Sequence, residues 1–191
     1  FKASSSKAVR SPSIVDLFLF PPSNESLDPE ELWNHETGFQ ASLMDRKLEV
    51  EIMAFLAKGS NLIQVNPMDT PPVGRNTGSF SNKGIETQFR YKPSALWGML
   101  LNYAYIDASE NVLFAPKHNL NFQGNFSLNK FTVIPSLRLI GGLRNTSMES
   151  AATENYALLD IRGMYSLTPK ISAYISGKNL FDTAYQIERG F

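Results

Sequence analysis

The chain contains no cysteine, which excludes a disulfide framework, a thiolate nucleophile and cysteine-built zinc sites. It has no excess of charge of either sign: 18 basic and 18 acidic residues give a formal net charge of zero. A nucleic-acid partner, which calls for a basic surplus, is not expected. Histidine is scarce, with His35 and His118 alone, and each is read as structural rather than as an axial or catalytic ligand. No HExxH, P-loop, GxGxxG or Ser/His/Asp arrangement occurs, so no enzyme, cofactor or metal centre is expected. No run approaches 18 apolar residues, so no transmembrane helix is expected. A membrane barrel would lack such a run as well, because its strands alternate. There is no initiating Met and no signal peptide, and the chain reads as an excerpt of a longer precursor.

What is present is alternation. Aromatics make up 12% of the chain, with 13 Phe and 7 Tyr, a bias towards strands. In 47–57 Leu48, Val50, Ile52, Ala54 and Leu56 share one face, opposite Lys47, Glu49, Glu51, Met53 and Phe55. In 82–92 Ile85, Thr87, Phe89 and Tyr91 oppose Glu86, Gln88, Arg90 and Lys92. In 118–128 Leu120, Phe122, Phe126 and Leu128 oppose Asn119, Asn121, Gln123 and Asn125. Segments 155–165 and 170–179 repeat the pattern, although Leu158 blurs one polar side. Segments 33–43, 95–107 and 130–141 alternate less cleanly, and 4–8 is read as the end of a further strand.

These strands run roughly 10–13 residues, whereas soluble strands peak at about 5–6. A tilted strand crossing a bilayer needs about 9–11. Connections point the same way. Tight turns fall at Asp45-Arg46, Pro93-Ser94, Asn129 and Thr168-Pro169, and long segments at 9–32, 58–81, 108–117 and 142–154. Short and long alternate along the chain, as short periplasmic turns and long extracellular loops do in outer-membrane barrels. Within 58–81, residues 61–65 are expected to extend a strand above the membrane or to form a loop hairpin.

Aromatics on the apolar face mark both ends of the expected band: Tyr91, Trp97, Phe126, Phe131 and Tyr165 near the short turns, and Trp33, Tyr103 and Tyr105 near the long loops. Mid-strand charges fall on the other face, among them Glu36, Glu86, Arg90, Arg138, Asp160 and Arg162. His35 and Lys83 share the apolar face but lie beside long loops, where a side chain reaches the interface. A charge at mid-bilayer on the lipid face costs about 2–4 kcal/mol, so this partition suits contact with lipid. A soluble antiparallel sheet with one wet face remains the alternative from pattern alone. The expected fold class is all-β: an antiparallel up-and-down transmembrane β-barrel.

Several segments resemble TonB-dependent outer-membrane receptors. Ser6-Lys7-Ala8-Val9-Arg10-Ser11-Pro12 is similar to the family's S-K-x-x-R-x-P, and the stretch from Leu27 through Glu30 and Glu36 to Gly38 to its L-x-P-E-x-x-x-x-x-E-x-G. Asn61-Leu62-Ile63, Asn76-Thr77-Gly78 and Asn82-Lys83-Gly84-Ile85-Glu86 follow in the family's order, and Pro116-Lys117-His118 resembles the opening of a late strand. Asn179-Leu180-Phe181-Asp182-Thr183-Ala184-Tyr185 is similar to the N-L-F-D-x-x-Y near the family's C-terminus.

The resemblance implies a partial barrel of about nine strands, residues 1–191, from a 22-stranded parent. The plug domain and first strands would precede it, and the last strand would follow it. The implied function is part of a receptor in the bacterial outer membrane that binds and imports a scarce nutrient such as an iron–siderophore complex, haem or cobalamin. Its implied partners are outer-membrane lipid, its own plug and through it the TonB energy-transducing complex, and a small nutrient ligand. Location and residue type make Phe18, Phe20, Arg75, Asn76, Phe114 and Arg144 candidate ligand contacts in extracellular loops. Glu36, Glu86, Arg90, Asp160 and Arg162 are expected to face the lumen or the plug. Arg10 and Pro12 are expected to shape a loop base. A passive porin and a soluble β-sheet binding domain remain as alternatives; no nucleic acid is expected.

Overall fold

A computed structural model describes residues 1–19, 22–65, 70–109, 114–144 and 153–186. Its strands are β1 (Lys2–Arg10), β2 (Glu30–Leu43), β3 (Leu48–Val65), β4 (Gly74–Tyr91), β5 (Trp97–Asp107), β6 (His118–Leu128), β7 (Phe131–Leu143), β8 (Glu154–Thr168) and β9 (Ile171–Gly177). One short helix, α1 (Ile14–Phe18), lies between β1 and β2. All nine strands form a single antiparallel sheet in which each pairs with its neighbours in sequence. No pairing joins β1 to β9 among the described residues, so the sheet is an open arc. The up-and-down order follows from the sequence, since tight turns leave a strand no partner but the preceding one.

Register decides what the sheet presents. Leu48 opposes Leu43 and Tyr91, and Val50 opposes Ala41 and Phe89. Leu101 opposes Phe89 and Phe122, while Leu137 opposes Phe122 and Leu159. The apolar faces of separate strands thereby merge into one surface. A slip of one residue at any pair would turn one strand's apolar side chains to the wet face.

The turns that hold this register are tight. Met44, Asp45 and Arg46 adopt successive left-handed conformations, with φ of 54°, 54° and 65°. Asn129, at φ 53°, closes the β6–β7 turn, a conformation Asn tolerates better than most residues.

Three expectations about element boundaries change. β3 and β4 have 18 residues each, so most of the long segment 58–81 is a tall paired hairpin, in which 61–65 extends the strand as expected. At about 3.3 Å per residue each strand is roughly 60 Å long, well beyond a bilayer crossing. A bulge about Asn61, at φ 55°, is where the projecting part shifts register. β9 ends at Gly177, two residues before Asn179, because the Asn179 N–H donates to the Asp160 carboxylate at 2.8 Å instead of to the ladder. Helix α1 replaces part of the first long loop. Its Ser13-x-x-Asp16 sequence forms a reciprocal capping box, a signal legible in the residues.

The sheet has almost no core. Among the described residues only Leu27, Ile140 and Leu143 are buried hydrophobics, and no side chain is fully buried. Trp33, Phe39, Ile85, Phe126, Phe131, Val133 and Leu139 are all exposed on the apolar face. A soluble sheet of this size would need a second layer over that face, and none covers it among the described residues.

Candidate functional site

The apolar face is bounded by aromatic pairs at both ends. Near the short turns Tyr91 meets Trp97 edge-on at 5.6 Å, and Phe131 meets Tyr165 at 4.7 Å. Near the long loops Trp33 stacks on His35 at 5.9 Å, with the Lys7 ammonium 5.6 Å from the Trp33 ring. His118 lies against Tyr103 and Tyr105, and its Nδ1 is 2.9 Å from the Tyr103 hydroxyl. Both histidines thus pack against aromatic rings at the long-loop end of the face. From Trp97 to Tyr105 the strand rises roughly 26 Å, or about 20 Å along the normal at the usual tilt. That is close to the apolar band of about 25 Å found in outer-membrane barrels. An apolar depression between Trp97, Phe126, Leu128 and Phe131 lies on this face.

The other face is polar and hydrogen-bonded across strands. Glu36 accepts from Asn34 at 2.7 Å and from Ser4 at 3.3 Å. Arg90 pairs with Glu49 at 3.1 Å. Gln88 donates to Asn102 at 3.0 Å, and Arg138 donates to Asn121 at 3.0 Å. The Arg162 guanidinium lies 5.2 Å from the Tyr174 ring. Asp160 holds Asn179, while Glu86 is exposed with no ion-pair partner among the described residues. All five lumen candidates therefore share the wet face. A concavity of about 440 Å³ lined by Asn102, Asn121, Gln123, Arg138, Asp160 and Lys178 opens there.

The long-loop end is knit together by side chains that the sequence reading took for strand or loop residues. Glu30, the first residue of β2, accepts from Arg10 on β1 with one oxygen and from the Ile63 N–H on β3 at 2.8 Å with the other. The Arg10 hydrogen bond holds the Glu30 carboxyl below its ordinary pKa, against partial burial. Arg10 thus shapes a loop base, as expected. The Asn24 amide donates to the Gly74 carbonyl at 2.9 Å, and Gly74 N–H donates to the Pro22 carbonyl at 2.6 Å. Asn76 clasps the Asp28 backbone in both directions, at 2.7 and 2.8 Å, and donates to the Asn61 carbonyl at 2.7 Å. Leu27 is buried beneath this clasp, beside Gly74.

The candidate ligand contacts fall in three places. Phe18 is exposed on α1, next to exposed Ile14 and Val15. Arg75 and Asn76 stand at the start of the returning hairpin strand, near the outer tip of the hairpin, Arg75 exposed and Asn76 committed to the clasp. Phe114 and Arg144 are brought together although 30 positions apart, the Phe114 N–H donating to the Arg144 carbonyl at 2.9 Å. Phe20 lies outside the described residues, as do most of 142–154 and the residues after Gln186.

The motif near the C-terminal end has a structural explanation. Asn179 exchanges two hydrogen bonds with Thr183, both at 3.1 Å, and the Thr183 hydroxyl donates to the Ala157 carbonyl at 2.7 Å. Leu180 N–H donates to the Leu159 carbonyl at 2.8 Å, and Tyr185 stacks on Tyr156 at 4.7 Å. The segment folds back as a staple across the upper end of β8. Gly84 is fixed by space: a Cβ there would lie 2.1 Å from the Tyr105 carbonyl and 2.8 Å from the Phe55 ring.

Comparison with known proteins agrees with this geometry. The family model described as TonB dependent receptor-like, beta-barrel, matches residues 1–180. The metal-pseudopaline receptor CntO of Pseudomonas aeruginosa is 25% identical over 177 residues, covering 84% of this chain and 25% of that protein. The ferripyoverdine receptor of the same species is 22% identical over 192 residues, covering 88% and 24%. The crystal structure of the siderophore receptor PiuA from Acinetobacter baumannii superposes with a TM-score of 0.81 at 17% identity, covering 97% of this chain and 30% of that one. The chain therefore spans about a quarter of the length of the curated relatives it matches.

Proposed function

The chain belongs to the TonB-dependent receptor-like β-barrel family, and from that premise we propose that it is part of a receptor that binds and imports a scarce nutrient such as an iron–siderophore complex, haem or cobalamin. Its place is the bacterial outer membrane, and its role is transport rather than catalysis. The observation that carries the reading is the single uncovered apolar belt, closed by aromatic pairs at both ends and backed by a hydrogen-bonded polar wall. The relatives named for metal–pseudopaline and ferripyoverdine support a chelated metal as the cargo class.

In this proposal Phe18, Phe20, Arg75, Phe114 and Arg144 form part of the outer binding surface, and Asn76 braces it. Phe114 and Arg144 are the pair we would test first, since their backbones meet and an aromatic ring and a guanidinium each suit a planar or anionic chelate. Glu36, Glu86, Arg90, Asp160 and Arg162 would line the wall against which a plug or a passing solute lies. In the full-length receptor Phe114→Ala with Arg144→Ala should weaken cargo binding by about tenfold or more, with unchanged abundance in the membrane. A deletion strain grown on single iron or cobalamin sources identifies the cargo. Growth equal to the parent on every such source would remove the receptor reading.

A further inference from the structure

The two ends of the apolar face differ in a way that contact with hydrocarbon does not require. Towards the short turns its outward positions are uncharged, among them Leu48, Tyr91, Trp97, Phe126, Phe131 and Tyr165. Towards the long loops, register turns five charged side chains to the same side. Lys7 and Lys58 oppose Trp33 from its two flanks, Glu31 lies two residues from Trp33, and Lys83 opposes Leu56 and Asp107. A charge on the lipid side is tolerated near an interface and costly at mid-bilayer, and these charges stand past the aromatic girdle. Lys83 is two residues beyond Ile85, which opposes Tyr105, and Lys58 opposes Ser81, two residues further on.

These charges do not cancel. Lys7 is committed to Glu31 at 2.8 Å and to the Trp33 ring. Lys83 meets Asp107 at 3.4 Å with the two side chains 68% and 49% exposed. An exposed pair of that kind holds weakly and leaves the ammonium further donors. Lys58 is exposed and has no ion-pair partner among the described residues. Lys58 and Lys83 are diagonal neighbours across the β3–β4 pairing, so their side chains leave the sheet about 7 Å apart. Two ammonium groups so placed repel unless an anion lies between them, and a phosphate offers each an oxygen. Ser81, directly opposite Lys58, puts a hydroxyl on the same side.

We infer that Lys58 and Lys83, beside Trp33, form a docking site for the phosphate of a lipid headgroup in the leaflet nearest the long loops. Side selects a lipid over the cargo, because a nutrient bound for the lumen meets the opposite face of the sheet. Level selects a headgroup over a chain: Trp33 marks the boundary between membrane and water, and both ammonium groups can reach past it on flexible stems. The confinement of outward lysines to one end selects a leaflet more anionic than its opposite. Each lysine near an anionic lipid surface strengthens attachment by about fivefold. The proposal rests on the placement in the outer membrane and is independent of the cargo.

The test reconstitutes the full-length receptor in phosphatidylethanolamine bilayers that contain a diphosphorylated glucosamine-disaccharide lipid or its dephosphorylated form. Native mass spectrometry counts the lipid retained per receptor. The phosphorylated form should be retained preferentially, and Lys58→Gln with Lys83→Gln should lower that preference about tenfold while heat-modifiable mobility stays normal. Lys58→Gln alone breaks no ion pair and should lower it about fivefold, which keeps the test decisive if the double variant misfolds. Lys47→Gln with Lys92→Gln, at the short-turn end, should leave the preference intact. Equal retention of the two lipids, an unaltered preference in the Lys58 variants, or an equal loss in the short-turn variant overturns the site. Displacement of the lipid by millimolar inorganic phosphate would assign the lysines to a free anion and overturns the lipid as their ligand.

Discussion

Placing one cation at the centre of the apolar belt tests the assignment of faces. Leu101 lies on β5 four residues from Trp97 and four from Tyr105, flanked by Phe89 and Phe122. Four residues are about 13 Å along the strand, or roughly 10 Å along the membrane normal. An arginine there cannot bring its whole head to either interface. Leu101→Arg should destabilise the full-length barrel by about 2–4 kcal/mol, a shift of roughly 30- to 900-fold in the folding equilibrium. The neighbouring Asn102 faces the wet wall beside Gln88, so Asn102→Arg loses one amide hydrogen bond, about 1 kcal/mol. Reversible guanidinium unfolding of the receptor in lipid vesicles measures both. Equal effects, or a larger one for Asn102→Arg, would refute the claim that the Leu101 face meets hydrocarbon. The same pair of variants in the cell separates them by heat-modifiable mobility and abundance in the outer membrane.

Gly84→Ala forces a methyl against the Tyr105 carbonyl and the Phe55 ring, and should cost about 1–3 kcal/mol in the same unfolding assay; an effect below measurement error would show that β4 and β5 give way there. Asn179→Ala removes both hydrogen bonds to Thr183 and should loosen the staple over β8, by about 1–3 kcal/mol of local stability, read as faster amide exchange at Leu180 and Thr183. The clasp at Glu30 should respond to acid. Its carboxyl has a lowered folded-state pKa, so its stabilisation is complete above the ordinary glutamate value and is lost as pH falls through the folded value. Protection of the Ile63 amide, which donates to Glu30, should decline below about pH 4 and be weaker and pH-independent in Glu30→Gln. Protection unchanged down to complete titration would exclude the carboxylate as the anchor.

The staple and the clasp mark where sequence reading stops. N-L-F-D-x-x-Y was legible as a resemblance, but its reason was not: Asn179, Thr183 and Tyr185 act on Asp160, Ala157 and Tyr156, which belong to a strand 19 to 29 residues earlier. Asn76 looked like a loop side chain free for a ligand, whereas its amide is used up on Asp28 and Asn61. Phe114 and Arg144 were chosen separately, by type and place, and only loop packing makes them neighbours.

What the residues determined alone is the order of strands, the ends at which the chain turns tightly, and which side of each strand is apolar. These are local matters: alternation has a period of two, and a tight turn returns the chain to the strand it has just left. Register across eight pairings, the height of the β3–β4 hairpin and the contacts of the long-loop end were decided only by tertiary structure. They depend on hydrogen bonds between residues distant in sequence, whose partners a linear pattern does not specify.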